Sequence, residues 1–455
     1  MNQLVSSNQS AFIKTRVIHD NFMYVRNLAR RLHISNTLAL LFKLDITKAF
    51  DSVCWDYLLD LLHRRGFPTR RRNWLAAIWS SSTSKVLVNG TPGEAIQHGH
   101  GLRQGDPLSP LLFVLAIDPL VKPLECATQE GLLTPLRGHH AQLRISLYAD
   151  DAAIFLDPTS QDDTNLRSLL ELFGTTSGLS TNLEKSSFVP IRRRGLNLNQ
   201  ILDSFPAARA TFPLKYLGLP LTLMRLRKVD CHPLLDKASS KLAHWQGRLL
   251  TTSGRTTLVK LVLSAQPIYF LTSLRPPEGI LKELDAKQRC ILWTGGTRLA
   301  GGKCKVAWKQ VRRPTKLGGL GVLDIYKFSR AMRLRWLWQS WKSENKPWVG
   351  MEIPCTNTDR RLFNAATKIT IGNGAKALFW HSTWLDGICP KDLAPTIFAL
   401  SRKKNRTVRQ AVAGNVWDQD LNDYILDVLL DHTPKEKQHT KIEMGMRSMD
   451  GCHVK

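Results

Sequence analysis

Three carboxylates have surroundings that could support chemistry. Asp45 ends a short apolar run, residues 38–44, interrupted only by Lys43, and Asp150 and Asp151 lie in the middle of a second, Ile145-Ser-Leu-Tyr148-Ala-Asp-Asp-Ala-Ala-Ile-Phe155. Carboxylate oxygens are hard ligands suited to Mg²⁺. Phosphoryl transfer to a growing strand needs two such ions close together, one on the attacking hydroxyl and one on the triphosphate. Two carboxylates can reach both ions if they sit on neighbouring strands of one sheet, with a tight turn presenting one of them. Asp45 at a strand end and residues 148–151 as a hairpin turn would meet that demand. An Asp-Asp pair taken alone is more often a solvated turn, so the rest of the chain has to decide.

The elements around these residues fit a layered fold. Both apolar runs read as strands. Residues 57–65, 108–124 and 165–173 carry apolar side chains at helical spacing, so strands and helices alternate, as in an α+β or α/β fold. The first half of the chain is comparatively acidic, whereas the second is basic, Trp-rich and helical in period. At least two domains are expected within the 455 residues.

The 64 Lys and Arg against 37 Asp and Glu give a net charge of +27, which a polyanion or an anionic surface would compensate. Nucleic acid is the first partner implied, although ribosomal, chromatin and membrane-surface proteins share such a charge. Residues 236–344 hold 21 Lys/Arg and six Asp/Glu, a net of +15, together with six of the 13 tryptophans. These could be a helical core with a solvated face, or a basic clamp on phosphates. The turn at residues 312–321 lacks the Gly-Lys-Ser/Thr ending of a phosphate loop. Asp118, Pro119 and Pro267 interrupt the longest apolar runs, so no membrane span is expected. The first 16 residues lack the basic-then-apolar order of a secretory signal, so an intracellular protein is expected, with cytoplasm and nucleus undistinguished. The eight scattered cysteines read as reduced structural thiols. The histidines, His139-His140 among them, show no metal-ligand spacing.

The order of motifs is more specific than any of these totals. Leu44-Asp-Ile-Thr-Lys-Ala-Phe-Asp51, Gly101-Leu-Arg-Gln-Gly-Asp-Pro-Leu-Ser-Pro110 and Tyr148-Ala-Asp-Asp151 resemble three successive motifs of the reverse transcriptase family. The branch they resemble is that of LINE-type (non-LTR) retrotransposons, particularly those of plants. Ser177-Gly-Leu-Ser-Thr-Asn182-Leu-Glu-Lys185-Ser is similar to the family's next motif, and Tyr216-Leu-Gly-Leu-Pro-Leu221 to its primer-grip hairpin. The resemblance covers residues 8–225, and the Trp-rich remainder resembles the region downstream of the palm in plant elements.

That resemblance implies an α+β right-hand polymerase palm, an antiparallel sheet with packed helices, followed by a mainly helical thumb. It implies RNA-directed DNA synthesis on an RNA template and a DNA primer from deoxynucleoside triphosphates, with two Mg²⁺ ions, or Mn²⁺ in their place. Asp45 and Asp150 would ligate the metals, Asp151 would assist, and the Ile46 carbonyl would complete one shell. Phe50 corresponds to a steric gate against a ribose 2′-hydroxyl, and Gln104 and Gly105 to the segment over the incoming nucleotide. Lys185 corresponds to a lysine that neutralises or protonates the leaving pyrophosphate; the plain alternative is a solvated side chain. Tyr216, Leu217 and Gly218 would lie against the primer backbone.

The domains implied are 1–36 as a remnant of the fingers and their connection, 37–235 as the palm, 236–345 as a basic thumb and 346–455 as a connecting segment. Asn8-Gln-Ser-Ala-Phe-Ile-Lys-Thr-Arg16 resembles a segment just before the palm, so the expected chain is N-terminally truncated, with most of the fingers absent. Two other readings share the charge and the fold: a catalytically dead nucleic-acid-binding remnant, and a maturase-like RNA-binding protein.

Overall fold

The computed structural model describes residues 1–413 apart from 2, 138–140, 193–200, 202–206, 241–248, 297–298, 300–301, 303, 344–345 and 368. His139-His140, Trp245 and the last residues of the chain lie outside the described residues. The chain divides into two compact units, Met1–Ser329 with Asn345–Ile353, and Arg330–Glu344 with Pro354–Lys455. Each mixes helices with short strands or bridges, and among the described residues the three sheets all lie in the first unit. No helix among the described residues is long and apolar enough to cross a membrane.

The central sheet of the first unit has five strands in the order β4-β5-β1-β6-β7. They are β1 (Leu40–Leu44), β4 (Ile145–Tyr148), β5 (Asp151–Leu156), β6 (Ser187–Pro190) and β7 (Ala208–Arg209). All pairs are antiparallel except β6 with β7. In β1 and β5 apolar residues follow one another without alternation because both faces are covered. Phe42 and its cross-strand partner Phe188 stack at 4.3 Å, the kind of pair that pins register.

Helix α1 (Ile18–Ile34) is buried along most of its length. Its Tyr24 hydroxyl donates to the Leu143 carbonyl at 2.7 Å, and Asn21 Nδ2 donates to Ser146 Oγ and the Leu147 carbonyl. These bonds satisfy the sheet-edge groups beside β4. Asp20, buried in the same helix, accepts from Trp348 Nε1 at 2.7 Å and from Lys346. Helices α2 (Trp55–Arg64), α4 (Ser109–Ile117) and α6 (Ser160–Ser177) contribute Leu58, Leu62, Phe113, Val114, Leu166 and Leu170 to the main core.

The end of α6 is locked to the loop that follows β1. Gly178 terminates the helix at φ +81°, and a Cβ there would lie 2.0 Å from the Ser52 carbonyl oxygen. Only glycine suits both the backbone angle and the close approach. The Cys54 amide donates to the Ser177 carbonyl at 2.9 Å across the same contact.

Further along the first unit, helix Glu278–Thr294 packs Ile291 and Leu292 against Val259, Leu263, Val311 and Val322. Part of this segment's positive charge is used internally. Buried Asp285 accepts from Arg289, Arg312 and Trp308 Nε1, and Arg312 also reaches Asp324. The second unit has its own core of Phe379, Trp380, Trp384, Ala394, Val408 and Ala411.

Candidate active site

The register of β1 against β5 pairs Leu44 with Ala152, and Asp45 and Asp151 are each one residue beyond that pair, at the same end of the two strands. Asp151 is the first residue of β5 and pairs with Tyr148, which leaves Ala149 and Asp150 as a two-residue turn. Ala149 takes φ +52°, the left-handed region a tight hairpin needs at its first turn position. Asp150 is exposed, while Asp45 and Asp151 are half-buried. Burial, then the charge of Asp150, and to a smaller extent that of Asp45, push the Asp151 carboxyl above the usual range, with Lys43 opposing. Negative charge is therefore concentrated at one end of the two strands.

Asp45 is held through its backbone. The Asp45 amide donates to Ser186 Oγ at 3.0 Å, and its carbonyl accepts from the Asn182 amide at 2.8 Å. Ile46 bridges to Thr181, and the Thr47 amide donates to the Ser180 carbonyl. Residues 180–186 thus back the end of β1. Lys185 is exposed in this turn, its amide donating to Asn182 Oδ1 at 3.2 Å.

The turn at Asp150 is braced from the N-terminal segment. Gln9 is fully buried, and its Oε1 accepts from the Ala149 amide at 3.0 Å and from the Ala11 amide at 2.9 Å. Its Nε2 donates to the Ala149 carbonyl at 3.4 Å. The same segment runs parallel to β4: the Leu147 amide donates to the Asn8 carbonyl, the Ser10 amide to the Leu147 carbonyl, and Gln9 bridges Leu147.

Phe50 stacks on buried Phe113 at 4.5 Å and 16°, and its carbonyl accepts from the Leu102 amide at 2.7 Å. Gly101 fits beside it only without a side chain, since a Cβ would lie 2.5 Å from the Asp51 carbonyl oxygen. Gln104 Nε2 donates to Asp51 Oδ1 at 3.1 Å, and Trp55 Nε1 to the Gly101 carbonyl at 2.6 Å. Gly105 is exposed at φ +87° with open space around it. The first and second motifs are therefore joined into one assembly at residues 50–55 and 101–104.

Strands β8 (Leu214–Tyr216) and β9 (Leu219–Leu221) form a hairpin whose turn residues, Leu217 and Gly218, both have positive φ. Tyr216 and Leu217 are buried and Gly218 is exposed. Tyr269 Oη donates to the Leu217 carbonyl at 2.5 Å. Burial raises the phenols of Tyr216 and Tyr269, and the charge of Asp151 adds to both.

Residue type and spacing assign no role to Gln9, Asp51, Ser186 or Tyr269. Gln9, Asp51 and Ser186 lie inside the motifs, but nothing in one sequence separates a buried supporting polar group from a solvated one. Tyr269 lies 52 positions from Leu217 along the chain.

The chain is similar to several known proteins. Residues 1–221 match the family described as reverse transcriptase (RNA-dependent DNA polymerase). A 149 kDa protein of transposon TX1 from Xenopus laevis is 27% identical over 73% of this chain and 25% of its own length. The Pol polyprotein of type-2 retrotransposable element R2DM from Drosophila melanogaster is 26% identical over 72% of this chain and 30% of its own. A protein of Arabidopsis thaliana named for ribonuclease H is 32% identical over 29% of this chain and 21% of its own. The chain thus spans less than a third of each of these relatives. Over residues 1–221 the chain is thus similar to the reverse transcriptase family, and along more of its length to proteins of the TX1 and R2 transposable elements.

Proposed function

We propose that Asp45, Asp150 and Asp151 form the active site of an RNA-directed DNA polymerase. The observation that carries this reading is the register of β1 on β5, which ends at Leu44 paired with Ala152 and so leaves Asp45 and Asp151 as the next residue along each, with Asp150 on the adjoining turn. Like charges held together by main-chain bonds repel one another unless cations join them. The donor set, hard carboxylate oxygens, suits Mg²⁺, or Mn²⁺ in its place. Among the described residues no three His, Cys, Asp or Glu side chains gather closely enough to hold an ion alone. The Ile46 carbonyl and the triphosphate oxygens would complete the shells. When bound, two ions supply activation of the primer hydroxyl and neutralisation of phosphate charge.

The chain's own residues then have distinct tasks. Gln9, Ser186 and Asn182 fix the backbone of the aspartates, so that little reorganisation accompanies nucleotide binding. Phe50, steadied by Phe113, walls the sugar and disfavours a 2′-hydroxyl. Gln104, held by Asp51, and Gly105 lie over the incoming nucleotide. Lys185, exposed on the turn that backs Asp45, would neutralise the leaving pyrophosphate. The hairpin tip at Gly218, with Tyr216 and Leu217 beneath it, supports the primer strand. On this reading residues 37–235 are a right-hand palm, 236–345 a basic thumb on the template–primer backbone, and 1–36 and 346–455 flanking segments.

The test is extension of a DNA primer on an RNA template with Mg²⁺ and deoxynucleoside triphosphates. Asp45→Asn and Asp150→Asn should each abolish extension while template–primer binding persists. Full extension by either variant would overturn the assignment, and binding without extension in the unmodified chain would leave a nucleic-acid-binding remnant.

A further inference from the structure

The second unit contains a cavity of about 680 Å³ well apart in sequence from the carboxylates. One wall comes from helix Ile325–Lys342, which presents Leu337, Ser340 and Trp341 at i, i+3, i+4 spacing. A second comes from helix Asn357–Ala366, whose Asn357, Arg360, Arg361 and Asn364 share one face at i, i+3, i+4, i+7. The third holds Lys376, His381 and Lys391.

No carboxylate lines this cavity, although four cations do. Two acidic residues adjoin lining residues in sequence: Asp359 caps its own helix through Thr356 and pairs with Arg330 at 2.9 Å and Arg333 at 3.8 Å, and Asp392 accepts from Cys389 Sγ at 3.0 Å. Arg360, Arg361 and Lys391 form no ion pair among the described residues. Concentrating positive charge without a counter-charge is unfavourable unless an anion joins it. Burial and the charges of Lys391 and Lys404 keep His381 below the usual histidine range, with Asp392 opposing, consistent with a positive local potential. The lining also includes the half-buried rings of Trp341 and Phe363. Cations interleaved with aromatic rings favour a chain that offers phosphates and flat bases together.

We propose that this cavity binds a segment of single-stranded nucleic acid, with Arg360, Arg361 and Lys391 on its phosphates and Trp341 and Phe363 against its bases. The site lies outside the polymerase motifs and would give the protein a second hold on a strand.

The experiment uses the full chain and a fluorescent 12-nucleotide oligothymidylate, with affinity measured across a series of KCl concentrations. Replacing both Arg360→Ala and Arg361→Ala should reduce the slope of log affinity against log salt by about 1.4, from about 0.7 per phosphate contact on a single strand. Arg360→Lys with Arg361→Lys should keep most of the slope, which separates charge from folding. A 5-iodouracil-substituted oligonucleotide should photo-crosslink to peptides containing Trp341 or Phe363. An unchanged slope in the double alanine variant, or crosslinks confined to the first unit, would overturn the proposal. So would protection of these peptides by inorganic tripolyphosphate but not by the oligonucleotide, which would mean a small polyphosphate site. Only binding is read, so the result is independent of whether the carboxylates catalyse extension.

Discussion

The buried carboxamide of Gln9 brackets the peptide group of Ala149, accepting from its amide at 3.0 Å and donating to its carbonyl at 3.4 Å. A residue 140 positions away thereby holds the turn that presents Asp150. Ala149 needs help because a non-glycine residue in the left-handed region is strained by roughly 1–2 kcal/mol. Gln9→Leu keeps the volume and leaves the amides of Ala149 and Ala11 without their acceptor, at a cost of about 1–3 kcal/mol each. The expected outcome is a lower melting temperature and a fall in the single-nucleotide extension rate that exceeds any rise in nucleotide KM. A drop in stability with an unchanged rate would reduce Gln9 to a purely structural residue.

The crowding of Asp45, Asp150 and Asp151 gives a stability test that does not depend on turnover. Burial and two like charges disfavour ionised Asp151, so removing its charge should relieve repulsion when no divalent ion is bound. Asp151→Asn is expected to melt higher than the unmodified chain in EDTA. Added Mg²⁺ should raise the melting temperature of the unmodified chain by mass action, and do so less in the variant. A variant that melts lower in EDTA would mean that the carboxylate is stabilised by partners other than a metal.

The legible part of this site was the part built from residue type and order. Strand runs at residues 38–44 and 145–155 located β1, β4 and β5 because continuous apolar stretches mark a sheet covered on both faces. The motif order then pointed to Asp45, Asp150 and Asp151. What one sequence could not convey was pairing between distant segments. Nothing local reports that residues 8–10 run beside β4, that Ser186 caps the Asp45 amide, or that Asp285 neutralises part of the basic segment. Such contacts depend on tertiary placement, and a buried glutamine or serine reads like any solvated one until its neighbours are known.

Phe50 has a packing role as well as its proposed place beside the sugar. Its ring stacks on Phe113 at 4.5 Å, and such pairs are worth about 0.5–1.5 kcal/mol beyond their buried area. Phe50→Val should therefore lower stability modestly and raise the efficiency of ribonucleotide relative to deoxyribonucleotide incorporation. Single-turnover extension with each nucleotide type gives the ratio. An unchanged ratio in a folded variant would place the sugar gate at another residue.

Gly178→Ala is expected to be among the most damaging single changes outside the carboxylates. The added methyl meets the Ser52 carbonyl oxygen at 2.0 Å, and φ +81° is unfavourable for alanine. The close atom is backbone, so relief requires the loop after β1 to move. Strain and clash together should cost more than about 3 kcal/mol. Chemical denaturation measures it. A loss under about 1 kcal/mol, the ordinary cost of a point substitution, would show that the loop carrying residues 50–54 yields easily.

The basic segment of the first unit can be divided into cations that hold the fold and cations free to meet phosphates. Arg312 belongs to the first kind, since it reaches Asp285 and Asp324, both at 3.3 Å. Lys309, Arg313 and Lys316 are exposed and form no ion pair among the described residues. Replacing all three with alanine should leave the melting temperature nearly unchanged, because each loses little beyond solvated contacts. Their loss should lower the slope of log affinity against log salt for an RNA–DNA template–primer by about 2, with little sequence dependence. Arg312→Ala should do the reverse. It leaves buried Asp285 with Arg289 and Trp308 alone, costing about 1–3 kcal/mol, and should leave the salt slope close to that of the unmodified chain. If the triple variant keeps its slope, these side chains are a solvated surface and the phosphate contacts lie elsewhere. If Arg312→Ala instead flattens the slope without loss of stability, the pairing to Asp285 is not what holds that arginine, and Arg312 contacts the strand.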